Sequence, residues 1–137
     1  MASNLKYSSA LRTSQQASIS TAAGASAVLT LYSGSQPASP DTAVTSQVAL
    51  STHTCAATFG TASAGVLTVG AIGNGTGTAG AGAGTAATWY RLTTSGGTAL
   101  VDGSVATSGA DLNLTGTTSI ATGQTVSISS WTLTNGN

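Results

Sequence analysis

A base and a nucleophile lie two residues apart in this sequence, at His53 and Cys55. Side chains at positions i and i+2 of a β-strand point to the same face, so the imidazole and the thiol of one strand could touch. Nucleophilic catalysis needs that contact and also a third group that orients the base. The neighbouring sequence offers no such group, and a zinc site would need more ligands than these two. A small buried Cys and a polar His at a strand edge are the simpler interpretation.

Two carboxylates, Asp102 and Asp111, are the only acidic residues in the C-terminal half of the chain. Glycoside hydrolysis uses such a pair, with one carboxyl group as the acid and the other as the nucleophile or base. Each of these residues lies beside Gly or Ala at a predicted turn, where an Asp side chain commonly caps backbone amides. We therefore expect turn capping, and we predict no catalytic residue and no enzymatic activity.

Three glycines, Gly75, Gly77 and Gly80, match the spacing of the dinucleotide-binding fingerprint. That fingerprint works when the glycines open a helix after a strand, so that backbone amides meet a pyrophosphate. Here the segment leads into a predicted strand, and no acidic residue follows in a suitable place. We predict no bound cofactor. Because residues 73–84 contain no large side chain, they predict instead an exposed loop or a tight passage of the backbone.

The bulky aromatic residues Trp89, Tyr90 and Trp131 could line a ligand groove. In a chain so poor in large side chains, we expect them to fill the space between two facing sheets. Arg91 follows Trp89 and Tyr90, and arginine is enriched at protein interfaces; the alternative for Arg91 is a position at a strand rim. The candidate interface residues are Arg12, Tyr32 and Arg91.

Charge is nearly absent from this chain of 137 residues, which has three Lys or Arg, three Asp or Glu and a net charge of zero. A nucleic-acid partner requires a basic stripe that neutralises phosphates, and three scattered cations do not form one. No apolar run reaches the length of about 18 residues that a membrane helix needs. We therefore predict neither a nucleic-acid nor a membrane partner, and the start of the chain shows no secretory pattern.

The predicted core is thin, because most residues are Gly, Ala, Ser or Thr. Burying a large apolar side chain contributes about 1.5–3 kcal/mol, whereas ordering the backbone costs about 1–2 kcal/mol per residue. One cysteine cannot form an internal disulfide. We therefore expect additional stability from oligomerisation or from attachment to a larger surface.

Hydrophobic periodicity predicts a mostly β protein. Residues 9–23, followed by Gly24, favour one short N-terminal helix, with an extended arm as the alternative. Thereafter short alternating stretches are separated by turn signals about every ten residues, which is typical of an antiparallel β-sandwich or jelly roll of about seven to nine strands. We predict an N-terminal arm or short helix over residues 1–25 and a single β-sandwich domain over residues 26–137. Disorder competes with this interpretation, but few prolines and clear alternation argue against it. The predicted strands are 27–33, 44–54, 55–59, 66–72, 85–94, 99–105, 111–115 and 124–134.

Five stretches are recognisable together: LTLYSGSQP at 29–37, ATWYRL at 87–92, DGSV at 102–105, SGADLNL at 108–114 and GQTVSI at 123–128. With them the chain resembles, over about residues 11–134, a family of small virion proteins of tailed bacteriophages. Some members of that family are cement or decoration proteins, jelly-roll domains that sit outside a capsid built from an HK97-type major capsid protein.

This resemblance implies a virion structural protein that stabilises a capsid by bridging major capsid protein subunits. It also implies a homo-oligomer, a dimer or a trimer, on the capsid exterior after assembly in the host cytoplasm. It names no catalytic residue. The alternatives are a tail or fibre component that binds the host surface and, as a third hypothesis, a small glycan hydrolase that uses Asp102 and Asp111.

Overall fold

The fold was described from a computed structural model over residues 4–134. It contains one α-helix, α1 (Ser9–Ala23), and one short 3-10 turn (Ala79–Ala81). The remaining elements are strands, in the order β1 (Val28–Tyr32), β2 (Ala49–Thr54), β3 (Gly60–Ser63), β4 (Val66–Val69), β5 (Gly75–Thr76), β6 (Thr85–Ala86), β7 (Trp89–Thr93), β8 (Ala99–Ala106), β9 (Leu112–Leu114), β10 (Ser119–Ile120), β11 (Thr125–Val126) and β12 (Ile128–Thr134). Among these residues no helix is long and apolar enough to cross a membrane.

Eight strands form one sheet in the order β2-β1-β7-β8-β9-β12-β4-β3. Two further pairs, β10 with β6 and β11 with β5, lie beside it. The predicted mostly β, sandwich-like fold with one N-terminal helix is confirmed. One neighbouring pair, β8 and β9, runs parallel, so the sheet is mixed.

The sheet curls until its two halves face each other. Tyr90 on β7 and Trp131 on β12 are three strand positions apart, which is about 14 Å in a flat sheet. Their ring centroids lie 5.0 Å apart, and Trp131 Nε1 donates a hydrogen bond of 3.1 Å to Tyr90 Oη. Phe59 packs edge-on against Trp131 at 5.5 Å. The prediction that the bulky aromatic residues fill the space between facing layers is therefore correct for Tyr90 and Trp131. It is wrong for Trp89, which lies on the opposite face of β7 and stacks on Tyr32.

The predicted turn at Asp102 and Gly103 is wrong, because both residues lie inside β8. Gly103 is paired with Tyr90, and a Cβ atom at Gly103 would stand 2.6 Å from Tyr90 Oη. A strand position occupied by glycine often marks the close approach of another group, and here that group is the Tyr90 ring. The glycine therefore makes room for the aromatic contact across the core.

Helix α1 forms over the predicted residues, rather than an extended arm. Ser8 caps its start by accepting a hydrogen bond from the Leu11 amide, and Gly24 ends it with a φ of 68°. The Ser20 hydroxyl bonds both the amide and the carbonyl of Gly60 on strand β3. Ala23 is buried in the core, with Ile19 packed against it, so the helix closes one side of the folded sheet.

Other predicted strands are shorter than expected. The stretch 85–94 is divided, since β6 pairs with β10 whereas β7 enters the main sheet. Residues 55–59 form no strand; Cys55 makes only an isolated bridge to Ile72. Strand β3 was missed, because its sequence of small residues has no alternating apolar pattern.

The glycine-rich stretch 73–84 is a tight backbone passage and not simply an exposed loop. It runs along the edge of β2, where the Gly73 amide bonds the Thr54 carbonyl at 3.0 Å and the Thr78 amide bonds the Leu50 carbonyl at 2.8 Å. Gly77 is buried, and a Cβ atom there would stand 1.9 Å from the Ala121 carbonyl oxygen. The stretch thus covers the edge of β2, whose backbone groups would otherwise be open to pairing with another chain.

We expect Gly77→Ala to lower the free energy of unfolding by about 1–3 kcal/mol or more, since the added methyl group must displace backbone. Gly73→Ala is the matched control in the same stretch, because its Cβ atom would meet only ordinary contact at 3.5 Å. Urea denaturation of the two variants measures the difference. Equal stability of the two would contradict the tight packing of this stretch.

Candidate functional site

Two of the three predicted interface residues, Tyr32 and Arg91, meet on the face of β1, β7 and β8 that points away from the core. The strand registers align Tyr32 with Trp89 and Arg91 with Asp102. The Tyr32 and Trp89 rings stack at 4.5 Å, and the Arg91 guanidinium carbon lies 5.5 Å from the Trp89 ring centroid. This cluster combines the two kinds of side chain most enriched in protein contacts, aromatic residues and arginine.

Arg91 is, however, buried inside the domain and does not lie at an exposed rim. Its Nε and Nη2 atoms donate to the two carboxylate oxygens of Asp102, each at 2.7 Å. The exposed fractions of the two side chains are 8% for Arg91 and 1% for Asp102. The hydrogen bonds to Asp102 raise the pKa of Arg91, so the guanidinium stays charged. Such a bidentate pair is both strong and geometrically specific.

The remaining bonds of Arg91 hold the loop over residues 33–48. Nη1 donates to the Thr42 carbonyl at 2.9 Å, and Nη2 donates to the Ser39 carbonyl at 3.3 Å. Trp89 Nε1 adds a bond of 3.3 Å to the Ser33 carbonyl. A partner that approaches this face would meet the loop before the guanidinium. The cluster therefore fastens a loop onto the sheet.

Arg12 does not join this cluster. It lies half-buried on α1, with its guanidinium carbon 3.3 Å from the place of a Cβ atom at Gly65, in the turn between β3 and β4. That turn belongs to the end of the sheet opposite β2. The three candidate interface residues thus do not form one continuous surface.

His53 bonds to Ser51 and to a backbone carbonyl, and not to Cys55. Its Nε2 atom lies 3.0 Å from Ser51 Oγ, and its Nδ1 atom lies 3.0 Å from the Gly73 carbonyl oxygen. A carbonyl only accepts, so the proton is assigned to Nδ1 and the Ser51 hydroxyl donates to Nε2. The Ser51 contact was not predicted, although the i, i+2 spacing on a strand was its signal.

The burial of this Ser-His pair separates it from catalysis. Ser51 and His53 have exposed fractions of 0% and 1%, so a substrate has no access to them. Desolvation lowers the pKa of His53, and burial raises the pKa of Cys55 to about 11, so the thiol keeps its proton. In residues 4–134 no group of three or more His, Cys, Asp or Glu residues is placed to hold a metal ion.

Asp111 and Tyr90 line a groove of about 290 Å³ between the two halves of the sheet. Asp102 borders the same groove, but its carboxylate lies on the opposite face of β8, where it is bound to Arg91. Asp111 caps as predicted: its carboxylate accepts from the Ser104 amide at 2.9 Å and from the Ser104 hydroxyl at 2.7 Å. These bonds lower the pKa of Asp111, whereas glycoside hydrolysis needs one carboxyl group that holds its proton. Because Asp102 is bound to Arg91, neither carboxyl group suits the role of the acid.

Large apolar side chains are exposed mainly at the start of the described chain. Leu5 is 61% exposed, Tyr7 36% and Leu11 47%, and Val48 at 39% is the other large apolar residue in this class. This group was not predicted. Its signal was weak, since polar residues separate its three members and they belong to two segments: Leu5 and Tyr7 precede α1, whereas Leu11 lies within it.

Neither protein-family models, nor curated protein sequences, nor solved structures give a match to this chain. A function for the protein therefore depends on its own residues and geometry.

We expect Asp102→Asn to lower the free energy of unfolding by about 3–5 kcal/mol, because it leaves the buried Arg91 without its counterion. The double variant Arg91→Met, Asp102→Leu should regain most of that loss, since it removes both buried charges. A protease should still cut the double variant within residues 33–48 faster than it cuts the unmodified chain, because the bonds from Arg91 to the Ser39 and Thr42 carbonyls are lost. A double variant whose loop resists cleavage like the original chain would contradict the clamping role.

Proposed function

We propose that this chain is a virion structural protein that decorates and stabilises a phage capsid by bridging major capsid protein subunits of the HK97-type fold. The observation that carries the proposal is the division of side chains between inside and outside. Arg91 and Asp102 are committed to each other, and the Ser51-His53 pair is closed to solvent. These reactive side chains therefore hold the fold, and the exposed surface consists mainly of small neutral residues, with Lys6, Asp41 and Asp111 as exposed charges.

A surface of this kind suits many copies at high local density. One face of the sheet is an example of this neutral surface. Strand pairing brings Thr61, Thr68 and Thr132 into one row across β3, β4 and β12, and all three side chains are exposed. Neutral hydroxyl groups create no like-charge repulsion between neighbours. A thin core also gains stability when copies bury surface against one another and against a lattice. A homo-oligomer on the capsid exterior meets both conditions.

The exposed apolar residues at the N-terminal end supply a contact for the capsid. Leu5, Tyr7 and Leu11 lie within seven positions, and clustered apolar exposure is typical of interaction sites. Lys6 is the one charged residue among them. We infer that this contact is mainly hydrophobic.

The copy number of the chain in purified phage particles tests the proposed role. Quantitative mass spectrometry should give a number that scales with the major capsid protein, and particles without the chain should break at a lower temperature or under milder osmotic shock. A few copies at one vertex, with loss of adsorption and unchanged capsid strength, would instead indicate the tail or fibre alternative.

Rebinding of the purified chain to particles that lack it should depend little on salt, because a neutral chain has few charges to screen. The double variant Leu5→Ser, Leu11→Ser should bind at least about tenfold more weakly, since each lost leucine contact is worth about 1.5–3 kcal/mol. Val48→Ser, at the separate exposed position, is the matched control and should bind normally. Cosedimentation measures all three. Strong weakening by salt would contradict a hydrophobic contact.

A further inference from the structure

The glycine-rich cover over residues 73–81 is anchored to β2 partly through the His53 ring. His53 Nδ1 donates to the Gly73 carbonyl at 3.0 Å, and the Gly73 amide bonds back to the Thr54 carbonyl. The far end of the cover is held by Thr78, whose hydroxyl donates to the Ala49 carbonyl at 2.6 Å. The imidazole thus lies beneath a segment that is fastened at both ends to its own strand.

Over the ring this cover is only one backbone thick. A Cβ atom at Gly75 would stand 2.8 Å from both Cε1 and Nε2 of His53, so the glycine backbone rests directly on the imidazole. The residues on either side, Asn74 and Thr76, are exposed. Lifting the segment by the width of a water molecule would therefore hydrate the ring without opening the rest of the core.

We propose that residues 73–81 are an acid-released cover: when His53 takes up a proton, the segment leaves the edge of β2 and uncovers the backbone groups that it had occupied. In the closed state the neutral ring donates to the Gly73 carbonyl and accepts from Ser51. In the released state the imidazolium is solvated by water, and the edge of β2 becomes available for pairing with another strand.

Among the described residues, nothing charged faces His53 from the elements packed around it. On β2 the same face carries Ser51, and Cys55 follows directly after the strand; its thiol holds its proton because burial raises its pKa to about 11. On β1, Leu29 is paired with His53, and Tyr32 lies on the opposite face. Strands β5 and β11 and the turn Ala79–Ala81 contribute only Gly, Ala, Thr and Val.

A proton on the closed ring would therefore be a buried charge without a counterion, which costs several kcal/mol. Desolvation accordingly lowers the pKa of His53 in the closed state, and opening restores it toward its ordinary value of 6.5. Because the open state binds the proton more tightly, falling pH favours opening, beginning near pH 6.5 and continuing down to the pKa of the closed state. Above pH 6.5 the closed state is at its full stability.

The cover is also bonded to residues 121–126, through the β5–β11 pair and the bonds of Gly77 to Gln124 and Gly123, so these residues must move with it or release it. The opening stays local because the cover itself contributes little to the core. Ala81 is its one buried apolar side chain among the described residues, and Gly75 and Gly77 bury only backbone. Segments with few buried apolar contacts open at a lower free energy than the whole domain. The strands around Tyr90 and Leu92, in contrast, are buried at the centre of the sheet.

Amide hydrogen exchange at pH 7.5 and pH 5.0, corrected for the intrinsic exchange rates, tests the proposal. Protection of the Gly73 and Thr78 amides, which bond the Thr54 and Leu50 carbonyls of β2, should be lower than that of Tyr90 and Leu92 at both pH values. It should fall by up to about 30-fold at the lower pH, the factor by which an open imidazole of ordinary pKa is protonated there. Amides of the β3–β4 hairpin, whose local opening leaves His53 buried, should keep their protection.

The His53 ring nitrogens of the same unmodified chain, followed by NMR, should titrate below pH 6.5, because the closed state with its lowered pKa dominates the population. His53→Gln keeps a donor and an acceptor in the ring's place but cannot titrate, so its protection at residues 73 and 78 should not change with pH. Constant protection in the unmodified chain would overturn the proposal. Equal protection of the cover and of β7 would also overturn it, because solvent would then reach His53 only when the whole domain unfolds.

Discussion

The contact between Tyr90 and Trp131 sets the shape of the whole domain. It joins strands that are three positions apart in one sheet, through a hydrogen bond of 3.1 Å and an edge-on packing of the rings at 5.0 Å. A glycine at position 103 makes room for it. Once the sheet is folded on itself by this contact, one face becomes core, and the opposite face of β1, β7 and β8 must be covered by the loop over residues 33–48.

Because charged residues are scarce, the few buried polar side chains find their hydrogen-bond partners among one another and among backbone carbonyl groups. The chain has one buried ion pair in its described part, Arg91 with Asp102, and it uses this pair to hold two loop carbonyls. Both ring nitrogens of the buried His53 are also hydrogen-bonded, one to the Ser51 hydroxyl and the other to the Gly73 carbonyl. Because unpaired buried polar groups are costly, these side chains are fixed in place, and the outside keeps only a few charges of both signs that cancel. The proposed role on a capsid rests on that neutral outside.

Local patterns in the sequence predicted the elements that depend on local physics. Helix α1 followed from its spacing and from Gly24, and the packing of Tyr90 and Trp131 followed from the shortage of bulk elsewhere. The partnership of Arg91 with Asp102 could not be predicted, because it depends on the register between β7 and β8. Residues 73–84 have no side-chain pattern, so their place along β2 is decided by close backbone approach. The parallel pairing of β8 with β9, which is supported by the hydrogen bonds between Asp111 and Ser104, could not be predicted either, because it also depends on how two strands align.

A double-mutant cycle on Tyr90→Phe and Trp131→Phe tests most directly whether the curled sheet depends on this one contact. Free energies of unfolding are measured by urea denaturation for the unmodified chain, both single variants and the double variant. If the contact joins the two halves of the sheet, the two changes should be coupled by about 1 kcal/mol, because each single variant leaves a buried polar group without its partner. Changes that add to within about 0.3–0.5 kcal/mol would show that the two side chains act independently, and would contradict the account.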